Sequence, residues 1–350
     1  MSRQEFEDYY RWATSGLPQL QFNSRVEKVD FDDRSQLFEI TVDAQTFRAK
    51  NVVVGTGLTP CIPACCENIE SPRIFHAGEF AYRTIAPAWK RIALVGGGQT
   101  AAELFLYLMQ EYKSHDLALT WVTRRHNLLP MDDSPFINEF FYPEYSEYFF
   151  DLAPKIKDQL LNKQRLASDG ISLALLQSIH QRLYEQRIIT PKSTMPIIMS
   201  STELLDLHLS DKGVSLQIGH EDSNRVHNVE VDAVILCTGY EYRVPEFLAL
   251  LINRFDFHDS KPRLQRDFSV HLKSGDSDRK LYLQNAGRHT RGVADPNLSL
   301  TSWRSATILN SIFGREIFDL HDKSAMMSWQ YPIEDETATL EKTRKVLANV

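Results

Sequence analysis

The pattern of apolar and polar residues along the chain predicts an α/β protein. Near the N-terminus, Phe6, Tyr9 and Tyr10 recur at helical spacing. The segment QLFEITV alternates apolar and polar residues, as a half-buried strand does. The segment AKNVVVGTGLTP is a short apolar strand that runs into a turn at Gly55 and Gly57. A buried strand followed by such a turn often closes a nucleotide-binding domain, and the turn then lies close to the cofactor.

The pattern is clearest between Arg91 and Tyr112, where RIALVGGGQTAAELFLYLMQE predicts a strand, a glycine turn and an amphipathic helix. The spacing Gly96-x-Gly98-x-x-Ala101 fits the dinucleotide-binding fingerprint, with Ala in its third place. Gly96 permits the tight turn, Gly98 lets the backbone approach a pyrophosphate, and Ala101 lets the helix pack against the strand. The helix N-terminus then faces the phosphates. We therefore expect a bound nucleotide here rather than a plain glycine turn.

The end of the next strand indicates which nucleotide is bound. The segment LALTWVTRR ends in Thr123, Arg124 and Arg125. An NAD site usually has an acidic residue at this position, which accepts a hydrogen bond from the ribose 2′-hydroxyl. A carboxylate repels the 2′-phosphate of NADPH, whereas guanidinium groups bind it bidentately. The two arginines therefore favour NADPH over NADH.

The remaining segments indicate two interleaved α/β units. Residues 126–187 are irregular and then helical, and strand-like segments return at 195–200, 214–218 and 229–237. The last of these runs into a second glycine turn in VILCTGY, and a further strand, KLYLQNAG, precedes a closing helix in NLSLTSWRSATILNSIFG. The predicted divisions are residues 1–60 as the end of one unit, 61–90 as a linker, 91–236 as an NADPH-binding domain with a helical insertion at 127–190, and 237–350 as the return to the first unit.

Composition and charge exclude several classes of protein. The chain of 350 residues is long enough for two domains, and its net charge of −7 argues against nucleic-acid binding. The N-terminus has no apolar run of signal-peptide length, and no segment approaches the roughly 18 apolar residues of a membrane span. Four cysteines in a chain of this length indicate a reducing, cytoplasmic location. Cys61, Cys65 and Cys66 match neither CxxC nor a zinc-ligand spacing, so we interpret them as free thiols in a loop and expect no metal.

Seven segments resemble the flavin-dependent N-hydroxylating monooxygenases of siderophore biosynthesis, which act on lysine, ornithine and diamines. They are SRQEFEDYYRWA, VVVGTGLTP, VGGGQTAAE, DDSPFINEFFYPEY, ASDGIS, DAVILCTGY and DPNLSLTSWRSA, in the order of that family. The resemblance implies a Rossmann-like NADP domain inserted in a partial FAD domain, of which residues 1–60 are the C-terminal end. Family members open with a βαβ unit that carries an FAD-binding GxGxxG, so we expect roughly a hundred further residues to belong upstream of Met1.

The resemblance also implies a reaction. NADPH reduces FAD, the reduced flavin forms a C4a-hydroperoxide with O₂, and the terminal amine of the substrate becomes a hydroxylamine. The cofactors carry this chemistry, so no catalytic side chain is expected, and neither a Ser-His-Asp set nor paired carboxylates occur in a recognisable pattern. The expected partners are FAD, NADPH, an amine and O₂, without nucleic acid or membrane, in a cytoplasmic homo-oligomer.

Several site residues carry over from the family. The NADP pyrophosphate would be held by Gly96, Gly98, Gln99, Thr100, Ala101 and Ala102. Its 2′-phosphate would be bound by Arg124 and Arg125. The flavin ring would lie along Asn297, Leu298 and Ser299, with Gly57 close to the cofactor. We expect His289, near the flavin, to have a hydrogen-bonded structural role.

Two positions depart from the ornithine enzymes and bear on the substrate. Tyr142 stands in FYPEY where those enzymes have Asn, and Asp169 stands in SDGIS at the second Asn of their TNYS. Ornithine is therefore disfavoured, and the DGI variant resembles the lysine and diamine branch. Asp169 either attracts the distal ammonium of a diamine or caps a helix that starts at Ser172. Lysine and diamine substrates are not separated by these residues.

Three other interpretations remain open at the level of sequence. A disulfide reductase with two dinucleotide-binding domains requires a redox CxxC or CxxxxC beside the flavin, and Cys61, Cys65 and Cys66 have the wrong spacing. Other flavin monooxygenases share the GxGxxA unit but lack DDSPFINEFF and DPNLSL. The third interpretation is an inactive NADP-binding fragment that lacks the FAD fingerprint.

Overall fold

The computed structural model describes residues 2–111, 117–189, 194–258, 261–271, 278–321 and 324–329. The helices are α1 (Arg3–Ser15), α2 (Gln99–Glu111), α3 (Pro135–Asn138), α4 (Pro143–Asp151), α5 (Pro154–Lys163), α6 (Leu166–Asp169), α7 (Leu173–Tyr184), α8 (Arg288–Arg291) and α9 (Thr301–Phe313). Short 3₁₀ segments are Ala64–Cys66, Ala77–Tyr82, Glu139–Phe141, Glu246–Arg254 and Leu298–Leu300, and a π-helical turn at Glu185–Ile189 extends α7.

The strands are β1 (Val26–Asp32), β2 (Leu37–Val42), β3 (Gln45–Ala49), β4 (Val52–Val54), β5 (Thr59–Pro60), β6 (Ile74–His76), β7 (Arg91–Val95), β8 (Ala118–Val122), β9 (Ile197–Met199), β10 (Thr202–Ser210), β11 (Gly213–His220), β12 (Arg225–Val231), β13 (Ala233–Leu236), β14 (Tyr240–Glu241), β15 (Phe257–His258), β16 (Lys261–Pro262) and β17 (Leu281–Leu283). The predicted α/β fold is confirmed, and the helix predicted from Gln99 is present through Glu111.

A five-stranded parallel sheet in the order β6-β13-β7-β8-β9 forms the centre of the molecule. Two of its inner strands, β7 (RIALV) and β13 (AVIL), are nearly continuous apolar runs and are buried along almost their whole length. Such runs are typical of parallel strands that are covered on both faces. The sequence therefore specifies which strands lie at the centre.

The two faces of this sheet are covered by different kinds of structure. Helices α2 and α7 cover one face, where Phe105, Leu108 and Ile179 are buried. The antiparallel sheet β10-β11-β12 covers the other, through residues such as Leu207 and Leu216. The result is a three-layer arrangement of helices, parallel sheet and antiparallel sheet. It holds the glycine turn after β7 at the carboxyl edge of the parallel strands, where ligands bind in α/β folds.

Two sequence-based boundaries need correction. The segment 61–90, predicted as a linker, contributes the edge strand β6, whose Ile74 and Phe75 pair with β13. The strand predicted at 229–237 is two strands, β12 and β13, which belong to different sheets. They divide at Asp232, whose carboxylate accepts hydrogen bonds from the backbone N–H groups of Lys90 (2.7 Å) and Arg91 (2.9 Å). The Asp232 side chain, which accepts from two backbone donors, therefore lies between the end of β12 and the start of β13.

The predicted insertion at 127–190 is helical from Pro135 to Ile189 and returns to the sheet through a tight contact. Gly170 lies against the backbone of Met131, and a Cβ at Gly170 would overlap it. The backbone N–H of Met131 donates to the carbonyl of Ile171 at 2.8 Å. The residues after α6 are thereby fixed beside the end of β8.

The second unit is built from both ends of the described chain. Val29 and Phe38 from the β1-β2-β3 meander share a core with Leu248, Phe255 and Leu281. Strand β4 pairs in parallel with β17, and the two connections between the units pair with each other as β5 and β14. The predicted interleaving is therefore observed. Within the described ranges, every helix is too short or too polar to traverse a lipid bilayer.

Candidate nucleotide-binding site

The glycine turn after β7 has the conformation that its sequence predicts. Gly96 has φ +141°, and a Cβ there would overlap the carbonyl oxygen of Cys237, so only glycine fits. The backbone N–H of Gly96 donates to the carbonyl of Val122 at 2.9 Å, and the Trp121 indole donates to the Gly96 carbonyl at 2.6 Å. At Gly98, by contrast, a Cβ would have no atom within 4 Å. Gly96 is required by the fold, and Gly98 leaves open space for a ligand.

Helix α2 begins at Gln99, directly after this turn, and its first backbone N–H groups point toward the open space. The side-chain oxygen of Gln99 accepts from the backbone N–H of Ser172 at 2.8 Å, which ties the helix start to the insertion. Ala101 and Ala102 are fully buried against the sheet. They pack α2 against the sheet and do not line the cavity over the turn that is described below. The N-terminus of a helix packed in this way is a ready site for a phosphate group.

A cavity of about 670 Å³ lies over the turn. This volume is within the usual range for small-molecule and cofactor sites. Its walls come from both units and include seven residues expected from the sequence, together with others that were not. The expected ones are Gly96, Gly98, Gln99, Thr100, Arg124, Arg125 and Asp169; those not expected include His76, Arg165, Ser168, Tyr240 and Arg288.

The two arginines at the end of β8 differ in environment. Arg124 is 75% exposed and lies 3.6 Å from a carboxylate oxygen of Glu203. Arg125 is half-buried, and its Nη1 is buried without a hydrogen-bond partner among the described residues. Burial, followed by the nearby Arg165 guanidinium, lowers the pKa of Arg125. A buried donor without a partner is costly, so an anion at this point would supply the missing acceptor. The residues present therefore fit a phosphorylated dinucleotide.

His76 joins the two sides of the cavity. Its Nδ1 accepts from the backbone N–H of Gly78 at 3.1 Å, and its Nε2 lies 3.0 Å from the carbonyl oxygen of Gly239. This geometry assigns the proton to Nε2, and burial lowers the pKa of His76. The ring of Tyr240 packs edge-on against the imidazole at 4.9 Å. No local pattern predicts this contact, because it joins segments that are 163 residues apart.

The predicted flavin residues lie at the carboxyl edge of β4 and β17. Gly57, three residues after β4, has φ +77°, and a Cβ there would have no atom within 4 Å. Asn297 caps the 3₁₀ turn Leu298–Leu300 by accepting from the backbone N–H of Ser299 at 2.9 Å, and Leu298 is 62% exposed. These residues fit contact with the flat edge of a ring through backbone groups. Within the described residues, Gly96–Gly98 is the one Gly-x-Gly turn that opens a helix.

A buried ion pair supports the loop that carries these residues. Asp295 accepts from the backbone N–H of Gly287 at 2.9 Å, and Arg304 from α9 donates to its backbone carbonyl. The carboxylate oxygen of Asp295 is 3.7 Å from the same guanidinium. Burial raises the pKa of Asp295 and lowers that of Arg304. His289 lies on this loop, and its Nε2 is 3.1 Å from the carbonyl oxygen of Pro262, which agrees with a structural role.

The two residues expected at the substrate lie in different places. Tyr142 precedes α4, is half-buried, and does not line the cavity over the glycine turn. Asp169 does line that cavity, at the end of α6. Its carboxylate lies 3.5 Å from Arg288 and 3.9 Å from Arg165. It does not cap α7, which has Ser172 at its N-cap position.

The glycine turn, the arginine-lined cavity and the second interleaved α/β unit define a pyridine-nucleotide-dependent flavoprotein oxidoreductase with two dinucleotide-binding units. The sequence model of L-lysine 6-monooxygenase/L-ornithine 5-monooxygenase matches residues 1–242. The chain belongs to that family.

Individual relatives agree with the assignment. The chain is 35% identical over 331 residues to L-lysine N6-monooxygenase of Escherichia coli, a match that covers 94% of this chain and 77% of the relative. It is 28% identical to putrescine N-hydroxylase of Shewanella oneidensis, covering 99% of this chain and 72% of that one. Among solved structures it resembles FAD-bound DfoA, a cadaverine monooxygenase of Erwinia amylovora, with 26% identity and a TM-score of 0.84 over 95% of this chain and 78% of that one.

Proposed function

We propose that this protein is an NADPH- and FAD-dependent monooxygenase that hydroxylates the terminal amine of L-lysine, for hydroxamate siderophore biosynthesis. The observation that carries the proposal is the cavity over the glycine turn. There the N-terminus of α2 and the buried Nη1 of Arg125, which has no hydrogen-bond partner within the described ranges, would bind an anion. The family assignment gives the reaction class, and the 35% identity to a lysine enzyme favours lysine as the substrate. A diamine is the second candidate, because putrescine hydroxylases and a cadaverine monooxygenase are also relatives.

Different residues of the chain would contact different parts of the two cofactors. The backbone of Gly96–Gly98 and the first turn of α2 would hold the pyrophosphate of NADPH. Arg124 and Arg125 would bind its 2′-phosphate, which distinguishes it from NADH. Gly57 and the segment 297–299 would contact the flavin ring. Bound together, FAD and NADPH supply the reducing equivalents and the activation of O₂.

The protein must present the amine without its extra proton. An ammonium has no lone pair, and a lysine-type amine has a pKa of about 10.4 in water. Burial or a nearby positive charge lowers that pKa. The residues of the site would therefore bind and orient the amine and exclude water from it. A cytoplasmic location would suit the four free cysteines, which require a reducing environment.

The assay that tests the proposal follows product and cofactor separately. The purified chain is supplied with FAD and NADPH, and hydroxylamine is measured with L-lysine, L-ornithine, putrescine or cadaverine. We expect more hydroxylamine from L-lysine than from the other three amines, and the mass of the product should exceed that of L-lysine by one oxygen atom. Equal NADPH oxidation with every amine and no hydroxylamine from any of them would refute the hydroxylase assignment. Preference for putrescine or cadaverine would replace lysine by a diamine.

A further inference from the structure

Two arginines and one aspartate line the cavity outside the glycine fingerprint and the predicted pair Arg124 and Arg125. Arg165 precedes α6, Asp169 ends it, and Arg288 begins α8 in the return segment. The Asp169 carboxylate is shared: Oδ2 lies 3.5 Å from Arg288 Nη2 and 3.9 Å from Arg165 Nε. The Ser168 hydroxyl donates to Oδ1 at 2.7 Å. Together with Arg125, whose pKa is affected by both Arg165 and Asp169, these groups form one electrostatic cluster.

The cluster has an excess of positive charge. Three guanidinium groups, from Arg125, Arg165 and Arg288, face the single carboxylate of Asp169, which leaves a net charge of about +2 in the cavity. A substrate ammonium that approached Asp169 would meet two arginines already paired with it. An anion would meet three donors in suitable positions. The local charge therefore favours a phosphate ligand over an amine.

The position of the cluster identifies which phosphate it faces. Gly170 packs against Met131, and the next residues are bonded to the sheet and to α2: the backbone N–H of Ile171 donates to Leu129 at 3.0 Å, and that of Ser172 to Gln99 at 2.8 Å. Asp169 is thereby held beside the first turn of α2, where a pyrophosphate lies.

Arg124 lines the same cavity at the end of β8. It also borders a second cavity of about 420 Å³, lined by His220 and Arg225 on the edge of the antiparallel sheet. Arg124 therefore marks the adenosine end of a bound dinucleotide. Arg288 follows β17 in the chain and lines the cavity over the glycine turn, where it lies 3.5 Å from Asp169.

We propose that Arg165 and Arg288 bind the pyrophosphate of NADPH and that Asp169 is a positioning residue that holds both guanidinium groups for it. This inference rests on the proposed function, because it takes the dinucleotide as the ligand. It adds two binding residues outside the glycine fingerprint and gives Asp169 a role other than the amine contact expected from the sequence.

The test measures binding of NADP⁺ and NAD⁺ to the purified chain by isothermal titration calorimetry. Because the pyrophosphate is common to both ligands, Arg288→Gln should raise both dissociation constants by the same factor, about tenfold for one charge-assisted contact. Arg124→Gln should weaken NADP⁺ alone. Arg48→Gln, which removes an exposed arginine paired with Glu39 on the distant meander, is the matched control and should change neither.

A double-mutant cycle tests the role of Asp169. Asp169→Asn should weaken NADP⁺ binding about threefold, because the guanidinium groups lose their shared anchor. In the Arg288→Gln, Arg165→Gln background the same change should have no further effect, which a merely structural role of Asp169 would not produce. Melting curves confirm that each variant is folded.

The outcomes separate the two proposals. If the wild-type chain binds neither dinucleotide, the proposed function fails and this inference fails with it. If the wild type binds NADP⁺ and Arg288→Gln binds it equally well, only the inference is overturned. A loss confined to NADP⁺ in Arg288→Gln would place Arg288 at the 2′-phosphate and would also overturn it, as would full NADP⁺ affinity in Asp169→Asn.

Discussion

Replacement of Asp267 by Asn tests how the return segment is anchored. The Asp267 carboxylate accepts from Lys280 Nζ at 2.8 Å, from the Ser311 hydroxyl at 2.5 Å and from the Ser269 hydroxyl at 2.6 Å. Lys280 immediately precedes β17, and Ser311 lies in α9. One carboxylate therefore joins the residue before β17 to the closing helix α9. Its side chain is only 20% exposed.

The magnitude follows from the pKa of this carboxyl group. Burial alone would raise it, but the hydrogen bonds from Lys280, Ser269 and Ser311 outweigh burial and lower the pKa from 3.8 to about 2. Each pKa unit corresponds to about 1.4 kcal/mol, so the ionised carboxylate stabilises the fold by about 2 kcal/mol at neutral pH. Because the folded-state pKa is below the unfolded value, this stabilisation is present above about pH 5 and is lost as the pH falls toward 2.

The assay is urea unfolding of wild type and Asp267→Asn, followed by tryptophan fluorescence at pH 7, 5, 4 and 3. The wild type should be more stable by about 2 kcal/mol at pH 7, and this difference should shrink by about 1 kcal/mol at pH 3. Asp158→Asn, an exposed change on α5, should show no such dependence. A difference between wild type and Asp267→Asn that stayed constant from pH 7 to pH 3 would refute the reasoning.

Three further predictions concern the nucleotide site. Gly96→Ala should lower the free energy of unfolding by about 3 kcal/mol, because its Cβ would overlap Cys237 at a positive φ. Gly98→Ala should leave the melting temperature unchanged but weaken NADP⁺ binding at least about tenfold, since its methyl group would occupy the open space over the turn; equal effects of the two changes on melting would contradict this. His76 has a lowered pKa, so the stability it provides should be present above about pH 6.5 and decline below it. Urea unfolding at pH 7.5 and 5.5 should show this loss in the wild type and a smaller one in His76→Phe.

The parts of the site that could be predicted from the sequence are encoded in short, contiguous segments. The strand, the turn at Gly96 and helix α2 follow one another directly, so their spacing alone specifies the phosphate cradle. Arg124 and Arg125 could be placed because they end the next parallel strand, and parallel strands end at the same edge. Strand β4 and the closing helix α9 could also be predicted, because each lies within one contiguous segment with a clear pattern.

The parts that were missed depend on contacts between distant segments. Strand β6 is three residues long, too short for a periodic pattern, and it becomes a strand because β13 offers it an edge. Arg288 reaches Asp169 across 119 residues of sequence, and neither position carries a local signal of the other. The sequence presents Tyr142 and Asp169 as isolated departures from the ornithine enzymes, whereas the charge around Asp169 is set by Arg165 and Arg288. Long-range pairing of charges is not visible in the order of residues.

The position of β13 between β6 and β7 in the parallel sheet has a consequence for biosynthesis. Strands β6 and β7 are neighbours in the chain but not in the sheet, because β13 inserts between them some 140 residues later. While the ribosome is still translating the helical insertion, the emerging β7 has an unpaired apolar edge, and the Cys237 carbonyl beside Gly96 does not yet exist. Such late, non-local closure slows folding and exposes intermediates to aggregation. Nascent chains that stop before residue 237 should therefore depend on chaperones and be sensitive to proteases.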